Sequence, residues 1–204
     1  MTTTPTYWGS EVTFSFDTTA YGTRVTALND GTFAITWQNS TDVFGTHYDE
    51  LGASTAGNFL SGASSPSNDV YTPILTQQED GTVLVHYGYA FSSSDQDILV
   101  GTPNSDFTGS SSGVSVLASV NGETLLDATA REGGGGAIAY NYTVGITTNL
   151  ALRFTDSAGQ IAGSQILIDS SATRAEMDPA IVSRPSTIST PRPAPPASVR
   201  SPAA

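Results

Sequence analysis

Asn29-Asp30-Gly31-Thr32-Phe33-Ala34-Ile35-Thr36-Trp37 decides the fold. Asp-Gly is a turn signal, because Asp bonds its own backbone and Gly takes positive φ without steric cost. The next six residues alternate, with Phe33, Ile35 and Trp37 on one side and Thr32, Ala34 and Thr36 on the other. That period of two predicts a strand with one strongly apolar face. The pattern returns as Glu79-Asp80-Gly81-Thr82-Val83-Leu84-Val85-His86-Tyr87. It returns again as Glu132-Gly133-Gly134-Gly135-Gly136-Ala137-Ile138-Ala139-Tyr140. The steps are 50 residues (Gly31 to Gly81) and 53 residues (Tyr87 to Tyr140).

Strand-like stretches surround each copy. The first unit carries Glu11–Phe16, Arg24–Leu28, Val43–Tyr48 and Asn58–Leu60. The second has Pro73–Gln77, Asp97–Val100 and Val114–Leu117; the third has Thr124–Ala128, Leu150–Phe154 and Ser164–Ile168. A fourth unit opens at Asp178-Pro179-Ala180-Ile181-Val182-Ser183, which resembles Thr72-Pro73-Ile74-Leu75-Thr76. The chain then turns proline-rich, and proline denies a sheet its donors. The expectation is an irregular lead over 1–10, repeats at about 11–60, 61–119 and 120–171, a truncated fourth at 172–183, and a disordered Pro/Ser-rich tail over 184–204. Four short strands per ~50 residues is the mark of propeller blades or similar stacked sheets. The fold class expected is therefore all-β: a partial β-propeller-like array of three four-stranded antiparallel repeats plus a truncated fourth. Such a unit cannot bury its apolar face alone. Phe33, Ile35, Trp37, Val83, Val85, Tyr87, Ile138 and Tyr140 are the expected inter-unit core. A two-sheet sandwich is the alternative.

Composition agrees. Charged residues are only 13% of the 204, and no lysine is present. Helical surfaces draw on Lys, Glu and Arg, so the polar surface here must rest on Ser, Thr, Asn, Gln and Gly. Residues 1–173 hold 17 acids against three arginines, a net of −14. That charge argues against a nucleic-acid partner, which needs a cationic footprint. It suits cation binding or solubility through self-repulsion. There is no cysteine, hence no disulfide, thiolate ligand or thiol nucleophile. No apolar run reaches the ~18–20 residues of a membrane helix. The N-terminal residues lack the basic and apolar regions of a cleavable signal.

The spacing resembles the ~50-residue β-repeats of bacterial secreted and surface proteins associated with the hemolysin-type (RTX) calcium-binding group. Those repeats run from a Pro-containing strand through Leu-x-Asp-Gly to a Trp-ended strand and then Asp-x-x-Gly. The matching residues are Leu28 to Gly31 through Trp37 with Asp49–Gly52; Pro73 with Asp80-Gly81 through Tyr87; and Asp156–Gly159. The calcium nonapeptides of that group, Gly-Gly-x-Gly-x-Asp-x-apolar-x, are not found. The resemblance implies an extracellular or cell-surface repeat module, with the cytoplasm as the alternative. Its partners would be neighbouring repeats or a cell-surface glycan.

Chemistry-bearing residues are sparse. Asp95 and Asp97, read as a loop with Ser92–Ser94, are the calcium candidates, although calcium takes 6–8 oxygens. Asp30 and Asp80 read as turn formers. His47 and His86 stand 39 residues apart without cysteine, a poor zinc set. Gly109-Ser110-Ser111-Ser112-Gly113 matches Gly-x-Ser-x-Gly, but that elbow needs a following helix and a downstream His, so it reads as a Ser/Gly linker. His47 near Asp49 lacks a nucleophile. Paired carboxylates of the glycosidase kind would need a cleft, and most acids fall in turns. Gly133–Gly136 is no phosphate loop without lysine. The expectation is a non-catalytic module in an adhesive or structural role; a glycan-binding or glycan-hydrolysing propeller is the alternative, with Trp8, Tyr48 and Tyr142 as sugar platforms.

Overall fold

The computed structural model describes residues 13–14, 19–55, 59–62, 69–92, 95–104, 107, 110–118 and 122–171, with backbone alone for 59–62, 110–112 and 171. The expected lead, the truncated fourth unit and the tail lie outside these residues, as does most of Glu11–Phe16. Within them the protein is all-β. Its strands are β1 (Tyr21–Ala27), β2 (Phe33–Gln38), β3 (Asp42–Tyr48), β4 (Phe59–Gly62), β5 (Val70–Gln77), β6 (Val83–Ser92), β7 (Asp95–Gly101), β8 (Ser110–Ser112), β9 (Val114–Leu117), β10 (Glu123–Ala130), β11 (Gly136–Val144), β12 (Thr147–Thr155) and β13 (Ile166–Ser171).

They form three sheets, one per repeat. Sheet A is ordered β1-β2-β3-β4-β8, sheet B β5-β6-β7-β9 and sheet C β10-β11-β12-β13. Neighbours are antiparallel except β8, which pairs parallel to β4 through Leu60↔Ser110 and Gly62↔Ser112. Ser110–Ser112 is thus a short strand of the preceding unit's sheet and not a linker. Serine has no strand propensity that could have announced it. Gly113 just beyond must be glycine: a Cβ there would sit 1.9 Å from the Tyr87 hydroxyl.

The repeated turn is the same object three times. In each copy the residue at Leu28, Gln78 or Arg131 donates its N–H to the carbonyl four residues on, at 2.9, 2.8 and 2.9 Å. Gly31, Gly81 and Gly134 close the inner turn at φ of +88°, +87° and +93°. Asp30 and Asp80 accept the Thr32 and Thr82 N–H at 3.0 and 2.9 Å. These are Asx turns, so both aspartates are turn formers. Bonds from the Thr32 hydroxyl and backbone hold the Asp30 carboxyl below its ordinary range; the Thr82 backbone and hydroxyl do the same for Asp80.

Sheets stack in chain order. β5 lies against β1 and β2; β10 lies against β5, β6 and β7. Val83, Val85 and Tyr87 join Ala34 and Val43 in one apolar cluster between sheets A and B. Ile138 and Tyr140 join Ile74 and Ile98 in another between B and C. The large face of each later unit therefore turns to the unit before it. Phe33, Ile35 and Trp37 occupy the equivalent face of sheet A, where Ile35 and Trp37 are buried. They do not fill the A–B interface, as their periodicity had suggested. There Thr26, Ala34, Thr36 and Gln38 meet sheet B: Thr26 Oγ1 bonds the Leu75 carbonyl at 3.2 Å, Thr36 Oγ1 the Pro73 carbonyl at 3.3 Å, and Gln38 Nε2 the Val70 carbonyl at 2.8 Å. On the far face Trp37 stacks on Phe44 at 5.7 Å, Phe33 on Tyr48 at 5.4 Å, and Phe14 meets Tyr48 edge-on at 4.7 Å.

Candidate functional site

The three first strands β1, β5 and β10 each pair on one side only. Their residues come together around one open groove of about 620 Å³, lined by Arg24–Ala27 and Asn29, Ile74–Gln77, and Asp127–Ala130. The register explains this convergence. Equal turns follow each first strand, so Thr26, Thr76 and Thr129 occupy equivalent positions. The wall is polar for a β surface: Arg24, Thr26, Asn29, Thr76, Gln77, Asp127 and Thr129. Arg24 is exposed and brings a cation to a strongly acidic body. Asp127 Oδ1 accepts the Ala128 N–H at 2.9 Å. Such a wall offers donors and acceptors to a neutral polar ligand and one charge of each sign.

The groove's rim is a column of turns tied to one another. Asn29 N–H donates to Gln77 Oε1 at 2.7 Å, and its Nδ2 to the Gln78 carbonyl at 2.9 Å. One unit on, Gln78 reaches forward: its Oε1 accepts the Gly135 N–H at 3.0 Å and its Nε2 donates to the Ser157 carbonyl at 2.7 Å. Glu79 accepts the Gly133 N–H at 3.2 Å. Nothing in the sequence points to these bonds, since Gln-Gln reads as ordinary strand-end polarity.

His47 is not paired with Asp49. Its Nε2 lies 2.7 Å from Thr32 Oγ1 and its Nδ1 2.5 Å from Thr55 Oγ1, while Thr32 Oγ1 donates to Asp30 at 2.5 Å. Asp49 instead accepts the Leu51 and Ala53 N–H at 2.9 and 2.8 Å. Asp156 does the same for Ala158 and Gln160, both at 2.9 Å. The second unit's version of that turn carries Phe107 where the others carry Gly52 and Gly159. The three have φ of +56°, +87° and +78°, and the Phe107 N–H still bonds the Asn104 carbonyl at 2.9 Å. A phenylalanine in the left-handed region is strained by roughly 1–2 kcal/mol. The ring is buried and stacks on His47 at 4.9 Å, which offsets that cost. His47 is a strut between two turns, flattened under an aromatic ring from the next unit.

His86 is an interior residue. It is 2% exposed, and neither ring nitrogen has a hydrogen-bond partner among the described residues. Burial alone pushes its pKa down to about 4, so the ring is neutral at pH 7. Asp95 and Asp97 begin β7 rather than a loop, pairing with Ser92 and Tyr89. Asp97 is buried and accepts from Ser115 Oγ at 3.2 Å. No group of three or more His or acidic side chains suited to a metal occurs among the described residues. Two carboxylates alone do not complete a calcium shell. Tyr48 and Tyr142 are half-buried against Phe33 and Tyr140, so neither is an open platform. Trp8 lies outside the described residues. No described helix is long and apolar enough to cross a membrane. Neither a protein-family model nor a curated protein matches the chain.

Proposed function

We propose that the chain is a non-catalytic β-repeat module of a secreted or surface-associated bacterial protein, with a structural or adhesive role. The observation that carries this is the repeated contact: among the described residues, sheets B and C each give the large face to the sheet before, and sheets A and B the small face to the sheet after. A module built that way has neighbouring repeats as its natural partners. The resemblance of its spacing to the RTX-associated repeats supports an extracellular or cell-surface location. First strands gathered around one groove favour a radial, propeller-like arrangement of the units over a sandwich. Native mass measurement with limited proteolysis tests this. The expected result is cleavage near Arg184 and a resistant body over 69–171; cutting spread through 122–171 would overturn it.

The groove favours a second reading, a glycan-binding one. Arg24, Asn29, Gln77 and Asp127 offer the mix of donors and acceptors that sugar hydroxyls use. A glycan array with the full chain, repeated with Arg24→Ala and Asp127→Asn, separates the two. Binding lost in both variants supports the glycan reading; an empty array leaves the structural one. Calcium at Asp95 and Asp97 belongs to either reading. A rise in the thermal midpoint with added calcium, absent in Asp95→Asn/Asp97→Asn, would establish it, and no shift would remove it.

A further inference from the structure

The groove is bounded by strand edges as well as by side chains. β1 pairs with β2 through Arg24↔Thr36, Val25↔Ile35, Thr26↔Ala34 and Ala27↔Phe33, and the Leu28 N–H closes the hairpin on the Thr32 carbonyl. Alternate residues of an antiparallel pair bond across it. Counted back from Leu28, Thr26 and Arg24 bond to β2, while Val25 and Ala27 turn their N–H and C=O groups away. The same count from Gln78 and Arg131 gives Leu75 and Gln77 on β5, and Ala128 and Ala130 on β10. The Leu75 carbonyl bears this out: it points out of its own ladder and accepts from Thr26 Oγ1. All six residues line the groove.

The three edges are not equally open. Leu75 and Ala128 are buried, and the Leu75 carbonyl is taken. β1 is exposed at every residue but Thr26, with Val25 66% and Tyr21 57% exposed. Among the described residues that line the groove, Arg24 is the only cation, and it shares a strand face with Thr26. The stretch from Arg24 to Ala27 offers about 13 Å of strand edge. Sheet A already takes a strand from outside its own unit at its opposite edge, where β8 pairs with β4.

We propose that β1 receives an extended peptide segment of another protein as an added strand. The segment bonds to the backbone of Val25 and Ala27, sets a carboxylate beside Arg24 and an apolar side chain beside Val25. Successive residues of a strand face opposite sides, so the two recognised residues are neighbours in the peptide. Main-chain bonds supply affinity in this mode and the alternate side chains supply specificity. The carboxylate is favoured locally, as an opposite-charge cross-strand pair with Arg24. Its repulsion by the rest of the acidic body is largely screened beyond about 8 Å at physiological salt. The structural reading above does not depend on this peptide, which competes with a sugar for the same groove.

The test titrates the full chain into the fluorescein-labelled, amidated peptide Thr-Val-Glu-Val-Thr-Val and reads fluorescence anisotropy. Saturable binding is expected, weakened about fivefold when Lys replaces Glu. N-methylation of the amides along one edge of the peptide should abolish binding, and methylation along the other edge should spare it. In the protein, Val25→Pro removes an N–H that the β1–β2 ladder does not use, and proline is tolerated on such an edge. It should weaken binding about tenfold or more with the thermal midpoint kept; the methylated peptides carry the test however that variant folds. No saturable binding, equal affinity for the Glu and Lys peptides, or equal effects of methylation on both edges would overturn the proposal. A dimer of the full chain that Val25→Pro dissociates would give the edge to a second copy. Glycan binding that survives Val25→Pro, with no peptide bound, would give the groove to a sugar. Either result would also overturn it.

Discussion

The A–B and B–C interfaces both hold an apolar cluster but differ in the polar bonds that cross them. Between A and B, threonine and glutamine side chains bond the backbone of β5 from Val70 to Leu75. Between B and C the contact is apolar, Ile74 and Ile98 against Leu125, Ile138 and Tyr140. Its polar ties lie at the rim alone, where Gln78 bridges Gly135 and Ser157, whereas A–B has both interior bonds and the rim bonds of Asn29 to Gln77 and Gln78. The difference follows from single positions. Thr36 of sheet A becomes His86 of sheet B, whose ring nitrogens have no hydrogen-bond partner among the described residues. Thr32 of the first turn becomes Gly135 of the third, which lets the turn approach a neighbouring strand closely. One stacking rule therefore tolerates two patterns of polar bonding.

Several substitutions sharpen that contrast. The largest effect is expected from Gly135→Ala, because a Cβ there would lie 2.1 Å from the Thr155 carbonyl at a φ of +75°. The loss should be about 3 kcal/mol or more, from left-handed strain plus a clash with backbone, read by urea denaturation. The same change at Gly31, where a Cβ meets nothing within 4 Å, should cost only the strain, about 1–2 kcal/mol.

Acid comes next. His86 refuses a proton down to about pH 4, whereas the unfolded chain accepts one near 6.5. Stability should fall as the pH drops from about 6.5 to about 4, by roughly 3 kcal/mol in all, and stay flat above 7. His86→Leu should remove that slope. A slope that survives the substitution would place the acid sensitivity elsewhere. Gln78→Ala strands the Gly135 N–H and the Ser157 carbonyl and should cost about 2 kcal/mol. Smallest is Thr36→Val in the A–B interface, where one 3.3 Å bond is lost; about 1 kcal/mol or less is expected.

The sequence made the repeat legible because backbone chemistry carries it. Asp-Gly before an alternating strand has one economical solution, and it recurs at Gly31 and Gly81. The strands, their order and the turn role of Asp30 and Asp80 followed from that. What was hidden depends on partners far along the chain. Periodicity shows that Ile35 and Trp37 share a face with Phe33, but not which neighbour that face meets. Phe107 broke the glycine pattern of its turn, because the gain comes from stacking on His47, 60 residues earlier (107 − 47). The groove was invisible for the same reason: its three walls come from segments about 50 residues apart. Alternation could place His86 opposite Val85 and Tyr87, but only the covering sheet C makes it an interior group.

The central claim is that sheet B is sandwiched between the other two. Its strand β6 is buried from Val83 to Ala90, whereas β1 is exposed along nearly its whole length. Amide hydrogen exchange on the full chain at pH 7 tests this most directly. The account predicts that Val83–Ala90 are the slowest amides of the protein and that β1 exchanges orders of magnitude faster. Exchange of β6 at the rate of β1 would contradict it.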